Sequence, residues 1–287
     1  MPNRLRVLLG AAPALICACF LPSAVAAGDV QLSLHQYTQI AQSQLSIEVL
    51  PRLFYNGLDQ VDSSKIGIVE TGAFPAIRQD AGSGLQISSV AIAIMDRVAE
   101  ADYKASSTGD IGSLDNYLRT IATLIFSFAK SGASPNWTRL VDQLPNLPSR
   151  QATPDEAYIF FRRPTLTNLI GSVLVRELAA IDIAQKYPDL SGSETNDANR
   201  RAAASVVEAK FEAAPPTALV VYSLLKKASD PKIIQQPNVD AAQELQKSLC
   251  DESNFQSLLR PQNPDIAQSK GPFNAGRRIV LRYASCR

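Results

Sequence analysis

Apolar residues recur along this chain at intervals of three and four, the spacing that gives a helix one buried face. The clearest stretch is 113–130. There Leu114, Tyr117, Leu118, Ile121, Leu124, Ile125 and Phe128 share one side, and Ser113 stands where a capping hydroxyl is wanted. Ser33-x-x-Gln36 forms a capping box that predicts a helix over 33–56, kinked at Pro51 and stopped by Asn56-Gly57. A helical period also runs from Leu85 to about Tyr103 through Val90, Ile94 and Val98.

Ser134-Pro135 opens a short helix near 135–143. Thr153-Pro154-Asp155-Glu156 supplies a cap, a first-turn proline and an acid for a second short helix, which is expected to stop before Pro164. The segment 165–187 is apolar nearly all round and predicts a helix buried on most sides. Arg176, Glu177 and Asp182 lie inside it, and each costs about 2.5–3.5 kcal/mol in a bilayer, so a membrane span is not favoured. Helices of about 198–213, 216–228 and 240–250 follow, with a polar turn at 192–199 and loop beyond Leu259.

Two places read otherwise. Residues 57–84 hold too many glycines for a long helix and leave room for one short strand at Ile66–Val69. Arg278–Tyr283 alternates with period two, placing Ile279, Leu281 and Tyr283 on one face, which predicts a terminal strand pairing with that first one. The expected architecture is therefore mainly α: a bundle or array of about eight to nine helices, with at most a minor two-stranded β element at the C-terminus. The domain is expected to span 27–287, and the three prolines within 144–154 mark its one internal sub-boundary.

The first 26 residues carry a different pattern. Arg4 and Arg6 precede an uncharged apolar run from Val7 to Leu21, and Ala24-Val25-Ala26 is a small-x-small cleavage site, which together predict a secretory signal and export to the periplasm or outside the cell. A lipobox reading, with Cys19 as a lipidated terminus, competes with it. Cleavage removes two Arg and no acid, taking the formal net charge from +1 to −1. It also leaves Cys250 and Cys286 as an even pair in an oxidising compartment, so a disulfide between them is expected.

Composition then narrows the chemistry. A balance of 28 Lys plus Arg against 27 Asp plus Glu offers no basic face for nucleic acid. His35 is the only histidine, so a zinc site or a Ser-His-Asp triad would have to pass through a residue that reads as a surface position. Ser127-x-x-Lys130 and Ser223-x-x-Lys226 match a serine acyl-enzyme pattern, of which about one match is expected by chance, and the supporting motifs are misplaced. Asp59 to Glu70 resembles a calcium loop but lacks an oxygen ligand at Val61 and the glycine replaced by Ser64. No metal and no cofactor are expected.

What remains is an exported binding or interaction protein, taking an unknown protein or a small apolar ligand. Its pocket is expected between helices 113–130 and 165–187, lined by Tyr117, Ile121, Leu169 and Val173. Arg162 and Arg163 form a possible clamp for an anionic ligand. The alternatives are a hydrolase acting on cell-envelope polymer through two carboxylates, with Glu177 and Asp182 as the acids best placed for burial, and a membrane-active protein exposing helix 165–187.

Overall fold

A computed structural model describes residues 32–55, 62–79, 84–131, 135–145, 156–186, 194–235, 239–259, 271–284 and 286. The expected secretory segment with Cys19, the expected helix stop at Asn56-Gly57, most of the proline-rich stretch, the expected cap at Thr153-Pro154 and most of the loop expected after Leu259 lie outside these residues.

The fold is mainly α. In chain order the elements are α1 (Leu34–Gln44), a π turn (Leu45–Val49), α2 (Leu50–Tyr55), β1 (Ile66–Val69), β2 (Ile77–Gln79), β3 (Leu85–Ser88), α3 (Ser89–Thr108), α4 (Ile111–Lys130) and α5 (Thr138–Asp142). They continue with α6 (Glu156–Lys186), α7 (Glu194–Glu208), α8 (Pro216–Ala228), α9 (Pro231–Ile234), α10 (Ala241–Leu259) and α11 (Asn274–Leu281). The capping box is present: Ser33 Oγ accepts from the Gln36 N–H at 3.3 Å while Gln36 Oε1 accepts from the Ser33 N–H at 2.8 Å. The π turn falls just before Pro51, whose ring has no N–H to continue the ladder.

Helix α3 is the axis. It packs on α1, α4, α6, α8 and α11, and every residue from Ser89 to Met95 is buried. Helices before and after residues 144–154 thus share one hydrophobic core. Arg176 ties α6 to α10 with two bonds to Glu252, at 2.7 and 3.1 Å, while its guanidinium lies 3.7 Å from the centre of the Phe255 ring.

Several sequence expectations are corrected. The sheet has three strands in the order β1-β3-β2, with β1 parallel and β2 antiparallel to β3, and it lies in the N-terminal half. Leu85 and Ile87 alternate inward as a strand does, and the helix assigned from Leu85 begins only after Ser88, whose hydroxyl accepts the Val90 N–H at 3.2 Å.

The strand expected at Arg278–Tyr283 is helix α11. Ala275, Gly276, Ile279 and Val280 are its buried face, a period-3.6 stripe that the alternation of Ile279, Leu281 and Tyr283 imitates over a short window.

The chain also does not stop before Pro164, which sits inside the 31-residue α6. Tyr158 on one side of the proline and Leu166 and Leu169 on the other are anchored in the core, and this packing outweighs the lost backbone bond. Helix α7 begins at Glu194, within the stretch expected to turn, and ends at Glu208; α10 continues past Cys250 to Leu259.

Candidate functional site

Helix α3 carries three acids into the interior: Asp96, Glu100 and Asp102. Asp96 is wholly buried. Its Oδ2 accepts from the Tyr37 hydroxyl at 2.7 Å and lies 3.0 Å from Arg162 Nε, and its Oδ1 accepts from the Tyr158 hydroxyl at 2.8 Å. Burial, and then the adjacent Asp96 charge, push both tyrosines well above the ordinary phenol value, so they serve as hydrogen-bond donors. Glu100, one turn on, meets Arg97, Lys104 and Arg162 at 3.6, 3.3 and 3.7 Å.

Asp102 is different. Thr217 and the Gly276 N–H each donate to it at 2.7 Å, and Ser106 donates at 3.3 Å. Burial pushes its carboxyl up to about 7, against the pull of these bonds and of the Arg277 charge. Together Asp102 and Ser106, which accepts the Ala275 N–H at 2.8 Å, cap the first turn of α11 from another helix. The cap supplied by its own chain, Phe273, has no side-chain acceptor.

Beside this cap a cavity of about 190 Å³ opens between the start of α6, the turn before α8 and the start of α11. Phe161, Pro164, Ala214 and Phe273 give it apolar walls, and Asn274 and Arg277 line it with polar groups. The Asn274 Oδ1 atom is buried there with no hydrogen-bond partner among the described residues. Phe161 is held by Tyr103, their ring centroids 5.3 Å apart, and Tyr103 in turn touches Tyr158 at 5.7 Å. The cavity wall is thereby fixed to the Asp96 cluster.

A second, wider cleft of about 500 Å³ shares Pro164, Asn168 and Ala213 with the first. It is lined by Arg52, Arg163 and Lys210, with Glu48 and Glu212. Lys210 stands just past the end of α7 at φ 59°, a left-handed conformation that glycine adopts freely and that a side chain adopts at a cost of roughly 1 kcal/mol.

No family model matches this chain. No curated protein and no solved structure matches it either.

Of the four residues expected to line a pocket, Tyr117 and Ile121 are buried on α4 and Leu169 and Val173 on α6, both helices pack against α3, and none of the four lines either of the two openings described above. Burial also pushes the Tyr117 hydroxyl up to about 12.

The Arg162–Arg163 pair is split: Arg162 turns inward to Asp96 and Glu100, and Arg163 lines the wide cleft. Cys250 and Cys286 form the expected disulfide, with Cα atoms 5.7 Å apart. It fixes the end of the chain beyond α11 to α10.

The remaining candidates are engaged structurally. Lys226 meets Glu177 at 2.6 Å, and Lys186 and Arg201 meet Asp182 at 3.1 and 2.8 Å. Lys130 of the first acyl-enzyme match donates to the Val239 carbonyl at 2.9 Å. His35 is exposed and pairs with Glu70 at 3.2 Å. Among the described residues no group of three or more His, Cys, Asp or Glu is placed to hold a metal, and no helix is long and apolar enough to cross a membrane.

Sequence reading missed Asp96, Asp102, Asn274 and Lys210. Asp96 did leave a signal, an acid set among Ile92, Ile94, Met95 and Val98 on an otherwise apolar helix. Asp102 and Asn274 left none, because their roles depend on partners at Gly276 and across the cavity.

Proposed function

We propose that the chain is an exported binding protein for a small, mainly apolar molecule that presents one hydrogen-bond donor. The observation that carries this reading is the cavity at Phe161, Pro164 and Phe273 with the unpartnered Asn274 Oδ1 buried in its wall. A buried acceptor without a partner costs about 1–3 kcal/mol, which a ligand N–H or O–H would recover. Apolar walls with few polar groups are the ordinary make-up of such a site. At about 30 Å³ per water-sized volume the cavity has room for roughly six small groups, the size of a short alkyl chain or one ring.

Export is supported by the basic-apolar-small pattern of residues 1–26 and by the Cys250–Cys286 bridge, since such bonds persist in oxidising compartments. Carboxylate hydrolysis has less support. Asp96, Glu100, Asp182, Glu244 and Glu252 are each paired with Arg or Lys, and Asp102 spends its oxygens on Thr217, Ser106 and Gly276.

Calorimetric titration with hexan-1-ol against hexane-saturated buffer tests the reading. Saturable hexan-1-ol binding that is weakened at least threefold by Asn274→Ala supports it. Absence of saturation, or binding indifferent to Asn274, overturns it.

A further inference from the structure

The wide cleft beside the apolar cavity has a charge pattern that the cavity alone does not explain. Three cations, Arg52, Arg163 and Lys210, face it with two acids, Glu48 and Glu212. Arg52 and Glu48 pair with each other at 2.8 Å. Arg163 and Lys210 have no ion-pair partner among the described residues, and they come from different elements, α6 and the turn after α7. The balance of the cleft is positive.

Lys210 gives a second, independent sign of use. It occupies the left-handed position at which helices usually end in glycine, and glycine there would be less strained. A strained residue kept at a cleft points to a role for its side chain. On this chain the side chain is an ammonium lining the same cleft as Arg163.

The two openings adjoin: Pro164, Asn168 and Ala213 line both, so the apolar cavity and the cationic cleft lie side by side along the start of α6. We infer that these adjoining openings take a free anionic amphiphile: a short apolar tail ending in one hydroxyl, which donates to Asn274 Oδ1 in the lobe of Phe161 and Phe273, and a carboxylate-type oxyanion between Arg163 and Lys210. Arg163 presents a forked donor suited to two oxygens, and Lys210 a point charge. This inference rests on the apolar-ligand reading above and adds the charged end of the ligand.

Isothermal titration at low salt with 6-hydroxyhexanoate, hexan-1-ol and 6-aminohexan-1-ol separates the two, because all three share the hydroxyl and differ in the other end. 6-Hydroxyhexanoate is expected to bind at least tenfold more tightly than hexan-1-ol, and 6-aminohexan-1-ol more weakly than either. Arg163→Gln and Lys210→Gly should each remove most of the 6-hydroxyhexanoate advantage while leaving hexan-1-ol within twofold. Lys210→Gly serves as its own folding control, because relief of the left-handed strain should raise its melting temperature while it loses 6-hydroxyhexanoate.

Equal binding of 6-hydroxyhexanoate and hexan-1-ol overturns the anionic lobe and leaves the apolar site standing. Failure of all three ligands overturns both. Co-sedimentation with phosphatidylglycerol vesicles that depends on Lys210, without 6-hydroxyhexanoate binding, would assign the cleft to a lipid headgroup and overturn the free amphiphile.

Discussion

Asp102 on α3 accepts the backbone N–H of Gly276 on α11 at 2.7 Å, across 174 residues of sequence. A side chain from the middle of the core thus performs the capping that the residues before α11 do not provide. The contact is close enough that a Cβ on Gly276 would collide with the carboxylate.

This relationship makes stability depend on pH. The folded-state value of about 7 lies above the ordinary Asp value, so the folded protein holds this proton more tightly than the unfolded chain does. The stabilising contribution is full below about pH 4, is lost as pH rises through about 7, and amounts to about 4 kcal/mol over that window. Asp102→Asn keeps an acceptor for Gly276 and removes the titration. Thermal unfolding from pH 4 to 8 should show the wild type losing stability relative to the variant as pH rises; parallel profiles would refute the assignment.

The Asp96 cluster should respond in graded fashion. Asp96→Ala takes the carboxylate from Arg162 and orphans the Tyr37 and Tyr158 hydroxyls, and is expected to cost about 3–5 kcal/mol in chemical denaturation. Tyr158→Phe removes one hydrogen bond to Asp96 and should cost about 1–2 kcal/mol. Equal effects of the two substitutions would mean that the carboxylate is not the organising group.

Cys286→Ser opens a link between residues 36 apart in sequence. The chain-entropy model assigns the bridge about 4 kcal/mol. Urea midpoints should fall accordingly, and amide exchange should accelerate first in α11, which then depends on Asp102 and Ser106 for its attachment. Unchanged exchange in α11 would place the benefit of the bridge elsewhere.

Two adjacent aromatics on α6 should behave oppositely. Phe160 is 82% exposed, and Phe160→Ser should change stability by no more than about 0.5 kcal/mol. Phe161 rests on Tyr103 and walls the apolar cavity, so Phe161→Ala should weaken hexan-1-ol binding about 3–10-fold, the value of one aromatic contact. Calorimetry on both variants checks this, and equal binding by the two would move the ligand away from Phe161.

The chain's own pattern determined the helical class, the amphipathic face of α4, the capping box at Ser33 and the pairing partners Cys250 and Cys286. Each depends on neighbours a few residues away or on a count of cysteines, so local periodicity suffices. Tertiary packing decided the rest. It carried α6 through Pro164, because burial on both sides outweighed one lost backbone bond, and it made 274–281 a helix by capping it with Asp102. It also divided Arg162 from Arg163, sending one to a buried carboxylate and one to a cleft. The cleft itself brings Arg163 to Lys210 across distant elements, and no spacing within the sequence encodes a meeting of surfaces that only the folded core holds in register.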